Sequence, residues 1–283
     1  MTSEEMNRLL SKVPTTESLN PAGITEKAEN LGVSKAGMGF VPCFVLSMMA
    51  GAFIAMGAMF FFLVIGDPSL PFAAQRLLGG ILFSLGLLLV VVCGAELFTG
   101  NTMLVMGVAS RRIGWGAGLK NWLIVFFGNF VGALVIVGLV YLTGYHHMNG
   151  GAIGTAMVSV AAGKMTPDWL TLFAKGIMCN FLVCLAVWIA YASKTVVDKA
   201  IGIMLPIAAF VACGFEHCVA NMFFLPMGIL LSSVGVVAPG IDPSVLSWTG
   251  ALWNWSATVP GNIVGGALFV GMAYWVAYRR SAK

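Results

Sequence analysis

The chain has 283 residues, 59% of them hydrophobic and only 9% charged, with a formal net charge of +4 at pH 7. That balance excludes a soluble globular domain, and so small and scattered a basic surplus gives nucleic acid no surface to bind. The six cysteines (Cys43, Cys93, Cys179, Cys184, Cys213, Cys218) lie in apolar stretches, so no disulfide framework, metal or cofactor is expected.

Residues 1–36 are polar and of mixed charge, unlike a signal peptide, and read as a partly helical segment at the membrane surface. Leu9, Leu10 and Val13 stand there at helical spacing. A membrane domain follows over 37–278, then a short basic tail, 279–283. Apolar runs cover 41–66, 77–110, 119–143, 169–192, 200–233 and 250–278. They predict six crossings, since about 20 apolar residues span a bilayer. Basic residues gather on one side of this topology (Lys35, Arg111, Arg112, Lys194 and Arg279 among them), with only Arg76 and Lys164 on the other. The bias predicts cytoplasmic N- and C-termini.

The chain repeats itself. Cys93-Gly94-Ala95-Glu96 with Asn101 matches Cys213-Gly214-Phe215-Glu216 with Asn221, and Asn121-Trp122…Gly128-Asn129…Gly132 matches Asn254-Trp255…Gly261-Asn262…Gly265 at the same spacing. Three crossings per half make the halves inverted, the footprint of a transport pathway. Runs two and five are each 34 residues. As straight helix that is about 50 Å, against an apolar core of about 30 Å. Length and the buried acid together predict that both helices are interrupted. Asn101 and Asn221 are expected as N-caps of short second half-helices, whose positive ends favour an anion.

Among the polar residues, His217 is the one histidine in a predicted span, because His146 and His147 fall in the outer loop. An intramembrane ionisable group marks function, and histidine changes charge near neutral pH; the alternative is a neutral ring bonding broken backbone. Glu96 and Glu216 read as structural acceptors beside the breaks rather than as a proton relay. Cys213, His217 and Cys218 lack a fourth ligand for a metal. The Gly128/Gly132 and Gly261/Gly265 pairs predict close helix packing. Gly114–Gly118 is no phosphate loop, because no strand precedes it. Lys175 lies near the outer end of the fourth span, where it can snorkel.

These residues resemble the formate–nitrite transporter family, its formate-channel branch most closely. The stretches that carry the resemblance are G-G-I-L-F-S-L-G-L-L-L at 79–89, C-G-A-E-L-F-T at 93–99 and K-N-W-L…G-N-F-V-G-A-L at 120–134. To these add G-I-M-C-N-F-L-V-C-L-A-V-W at 176–188, G-F-E-H-C-V-A-N-M-F at 214–223 and G-N-I-V-G-G at 261–266. The resemblance implies an all-α, aquaporin-like fold of six transmembrane helices with interrupted second and fifth helices. It further implies a homopentamer with one pore per protomer in a bacterial cytoplasmic membrane. It places His217 at the pore centre, Thr99 on the interrupting loop, and Asn180 and Lys164 near the pathway. Its apolar constrictions map onto Phe83, Leu87, Leu97, Phe98, Val183 and Phe210. Glu96, Glu216, Asn101, Asn221 and Asn262 are the polar groups of the breaks. Gly100-Asn101 after Thr99 departs from the hydroxyl residues that formate channels more often carry.

The expected function is passage of formate or a related small weak-acid anion, with nitrite, hydrosulfide or acetate as other candidates. Proton-coupled transport is the alternative to a channel. A membrane enzyme or redox subunit would need convergent nucleophiles or cofactor ligands, which one intramembrane histidine does not supply.

Overall fold

The computed structural model describes residues 18–280. Leu9, Leu10, Val13 and the end of the basic tail lie outside them. All regular structure among the described residues is helical. Helix α1 (Pro21–Ala36) starts where the Asn20 side chain accepts from the Gly23 N–H at 2.8 Å and proline occupies the first turn. Then come α2 (Phe40–Ile65), α3 (Phe72–Cys93), α4 (Phe98–Ala109) and α5 (Trp115–Leu142). The second half holds α6 (Ala152–Met165), α7 (Trp169–Ala192), α8 (Val196–Ala212), α9 (Cys218–Ser233) and α10 (Trp248–Tyr278).

Five of these, α2, α3, α5, α7 and α10, are long and apolar enough to cross a membrane. The two long apolar runs are broken, as their length demanded: 77–110 is divided between α3 and α4, and 200–233 between α8 and α9. The halves are built alike. Helix α2 packs on α5 and α3, α7 packs on α10 and α8, and α3 against α8 joins the two. The glycine pairs set the spacing. A Cβ at Gly132 would run into the Met48 carbonyl of α2, and one at Gly265 into the Ile177 carbonyl of α7. Helix α6 was not foreseen; at 14 residues it is too short to cross, and it occupies in the second half the place of α1 in the first.

Helix α1 is tied down by a buried acid. Glu29, 1% exposed, meets Arg112 at 3.1 Å and Arg279 at 2.9 Å. These come from the α4–α5 turn and the end of α10. Lys27 Nζ donates to the Tyr191 carbonyl at the end of α7, 2.8 Å away. One side of the molecule is thereby closed into a single polar clasp.

Candidate functional site

Each break begins with a glycine that turns the chain. Gly94 and Gly214 have φ of 76° and 71°, the left-handed region that side chains with a Cβ avoid. The next N–H reaches back to end the helix, Ala95 to the Val90 carbonyl (2.9 Å) and Phe215 to the Phe210 carbonyl (3.0 Å). The loop then leans on the neighbouring helix: Glu96 N–H donates to the Leu46 carbonyl at 3.2 Å, Glu216 N–H to that of Lys175 at 3.3 Å.

Backbone freed inside a bilayer must find partners within the protein. One asparagine per half supplies them. Asn129 Nδ2 donates to the carbonyls of Ser47 (2.7 Å) and Glu96 (2.9 Å), and its Oδ1 accepts from the Phe98 N–H (2.9 Å). Asn262 does the same with Gly176, Glu216 and the Cys218 N–H, each at 2.8 Å. The expected N-caps, Asn101 and Asn221, therefore need correction. The half-helices start earlier, at Phe98 and Cys218, because the glycine turn brings the chain back into helix within a few residues and asparagines from α5 and α10 satisfy the first N–H.

Asn101 and Asn221 sit buried inside their helices and serve the acids. Asn101 Nδ2 donates to Glu96 (2.8 Å) and Asn121 (3.0 Å); Asn221 Nδ2 donates to Glu216 (2.7 Å) and Asn254 (2.8 Å). The acids accept from these side chains, as expected, and each is also paired with a lysine. Lys35 lies 3.1 Å from Glu96, and Lys164 lies 3.0 Å from Glu216. The halves differ at the asparagine oxygens. Lys35 also donates to Asn101 Oδ1 at 2.8 Å, whereas Asn221 Oδ1 is buried with no partner.

The two breaks meet at His217. Its Nδ1 accepts from the Ala220 N–H at 3.0 Å, capping α9, and its Nε2 lies 3.0 Å from Thr99 Oγ1. A nitrogen that accepts carries no proton, so the neutral ring is the Nε2–H tautomer and donates to Thr99. The N–H groups of Phe98, Cys218 and Ala220 are already taken and so are not offered to an anion, whereas the imidazole and the Thr99 hydroxyl stand where the two breaks meet. Thr99 stands in the first turn of α4 rather than in the loop before it.

Asn180 makes no hydrogen bond to His217. Its Nδ2 instead holds the Thr99 carbonyl (3.1 Å), Thr102 Oγ1 (3.2 Å) and the Asn262 carbonyl (2.6 Å), with Cys184 Sγ a further 3.4 Å contact to Thr99 O. Gly266 permits this crowding, since a Cβ there would press on Asn180, Thr102 and Cys184.

Two vestibules flank this centre. One, of about 250 Å³, is lined by His217, Lys164, Glu216, Phe83 and Phe210 among others; the second, about 300 Å³, by Lys35, Glu96, Leu87 and Leu97. They share no lining residue. Phe83 sets its ring edge against Phe210 at 5.7 Å, and Phe210 stacks on the His217 ring at 5.8 Å. Phe98 and Val183 line neither vestibule, and Phe98 packs on Phe126 and Trp122 of α5. Lys35, Asn121, Asn129 and Asn254 belong to the site although the sequence had not assigned them to it. The repeated Asn-Trp…Gly-Asn spacing was their signal.

The model of the formate/nitrite transporter family matches residues 22–276. The formate channel FocA of Escherichia coli is 42% identical over 271 residues, covering 93% of this chain and 95% of the relative. The formate channel BtFdhC of Bacillus thuringiensis is 36% identical over 265 residues, 92% and 96% of the two chains. A solved pentameric formate channel with formate bound superposes with a TM-score of 0.78 at 37% identity, covering 84% of this chain and 97% of its own. An ion channel of the same family gives 0.79 at 29% identity, over 90% and 98%. The inverted, twice-broken bundle around His217 is thus a multi-pass membrane transport protein, and the chain belongs to the formate/nitrite transporter family.

Proposed function

We propose that this protein passes formate and related small monovalent weak-acid anions across a bacterial cytoplasmic membrane, as one pore in each protomer of a homopentamer. The relatives' names and the pentameric neighbour support the substrate and the assembly. The basic bias supports a topology with both termini, and the Lys35 vestibule, on the cytoplasmic side. The observation that carries the reading is the buried His217–Thr99 pair between two apolar collars, each reached through a lysine-bearing vestibule.

A bare carboxylate entering a dry collar loses hydration worth several kcal/mol. Protonating an acid of pKa near 4 at pH 7 costs about 4 kcal/mol, so the neutral acid crosses more cheaply wherever water is excluded. The anion enters through the vestibules beside the Lys164–Glu216 and Lys35–Glu96 pairs, and Phe83, Leu87, Leu97 and Phe210 reject larger or hydrated ions. His217 Nε2–H donates to it at the centre, where proton exchange makes flux pH-dependent. Asn180 acts by fixing Thr99, and the Glu96 and Glu216 networks hold the breaks in shape.

Proteoliposomes carrying the purified protein, compared with protein-free vesicles, test this with formate, nitrite, hydrosulfide and acetate side by side. Formate flux well above the lipid background is expected. Background-level formate flux, with nitrite or hydrosulfide passing freely, would reassign the substrate.

A further inference from the structure

The two vestibules are alike in size and unlike in charge. The Lys35 vestibule has one cation, Lys35, and one carboxylate, Glu96, which lie 3.1 Å apart and neutralise one another. The Lys164 vestibule has the equivalent pair, Lys164 and Glu216, and two further cations, Arg76 and Lys175. Neither has a carboxylate partner among the described residues. Arg76 is pinned at the break, its Nε donating to the Ala212 carbonyl at 3.0 Å and one terminal nitrogen to that of Val211 at 3.1 Å. Its positive charge is thus fixed at the negative end of α8. Lys175 is partly exposed and its ammonium makes no hydrogen bond or ion pair among the described residues. A lysine in the spanning helix α7 that finds no acid among the described residues leaves its charge to the cavity it lines.

We infer that Arg76 and Lys175 form a capture site for a small anion in the Lys164 vestibule alone, upstream of His217, so that the two mouths take up substrate with unequal affinity. The inference rests on the transport reading above. Its chemistry is that of a monovalent carboxylate or similar oxyanion. Arg76 has a remaining guanidinium edge for one oxygen, and Lys175 supplies a mobile point charge for the other. Concave, low-dielectric walls, here including Phe61 and Phe224, concentrate such a field. The Lys35 vestibule, with its charges paired, has no equivalent. The asymmetry lies in two positions that the internal repeat does not duplicate: at the spacing of the repeat, Gln75-Arg76 is matched by Thr195-Val196 at the start of α8, and Ala174-Lys175 by Val45-Leu46 of α2.

The test is initial formate flux measured from each face separately, in vesicles whose orientation is scored by a protease site placed before α1. The wild type is expected to half-saturate at lower formate from the Lys164 face. Lys175→Met should raise that value about tenfold at low ionic strength, the effect fading near 0.5 M salt to about twofold or less, with the Lys35 face unchanged. Lys175→Arg, which keeps the charge, should retain the wild-type value. An equal change at both faces, no change at the Lys164 face, or an arginine variant that behaves like the methionine one would overturn the inference. A wild type that passes no formate defeats the transport reading and this inference together; a conducting wild type indistinguishable from Lys175→Met defeats the inference alone.

Discussion

Replacing Asn262 with leucine, close in size, removes the side chain that holds the second break together. Three groups lose a partner: the carbonyls of Gly176 and Glu216 and the Cys218 N–H. The Gly176 carbonyl lies inside α7, where the helical ladder also bonds it. The other two are left buried without a helical partner, at about 1–3 kcal/mol each, so Asn262→Leu is expected to cost about 2–6 kcal/mol. Against a typical total of about 5–15 kcal/mol that is a large fraction. In thermal unfolding followed by circular dichroism in detergent, the midpoint should fall by about 5–20 °C. Asn129→Leu strips the equivalent groups, the Ser47 and Glu96 carbonyls and the Phe98 N–H, and should cost about the same. A midpoint that does not move in either variant would show that the breaks are held by something other than these amides.

Three further outcomes are expected. Lys164→Gln leaves Glu216, its side chain 4% exposed, without its cation and should destabilise by about 3 kcal/mol. Lys164→Gln/Glu216→Gln should recover more than half of that in the same melt, and full additivity would refute the pairing. Burial pushes the Glu29 carboxyl up, but hydrogen bonds and charge from Arg279 and Arg112 outweigh it and leave its pKa below the usual value. A depressed folded pKa contributes stability above the unfolded value of about 4.5 that is lost as pH falls through the folded one. Amide protection in α1, relative to the intrinsic exchange rate at each pH, should therefore fall below about pH 4.5 in the wild type and be low at neutral pH in Glu29→Ala; equal protection in the two proteins at pH 7 would contradict the clasp. Thr99→Val removes the acceptor of His217 Nε2–H without changing side-chain shape and should cut formate flux about tenfold, while unchanged flux would remove the hydroxyl from the pathway.

The breaks were legible because two independent signals agreed on each: an apolar run too long for a bilayer, and an acid placed where lipid forbids it. Their chemistry was less so. Asn101 and Asn221 looked like caps because asparagine favours that position locally, and only the fold reveals that Asn129 and Asn262, from the next helix, already fill it. The Lys35–Glu96 and Lys164–Glu216 pairs join residues far apart in sequence, which no local pattern records. Helix α6 escaped notice because its 14 residues are too short and mild in hydropathy to resemble a crossing. Yet Lys164 precedes α7 by the same five residues that separate Lys35 from α2, so the repeat did extend that far. Gly94 and Gly214, by contrast, could be read from the motif, since a left-handed turn inside an apolar helix leaves glycine as the residue that fits.

The measurement closest to the centre of this account is formate flux against external pH in proteoliposomes carrying wild type or His217→Asn, whose amide can still donate to Thr99 but cannot titrate. The account predicts a pH-dependent wild type and a variant that conducts with its pH dependence abolished. A variant that reproduces the wild-type pH profile would contradict the proton-exchanging role of His217 at the waist of the pore.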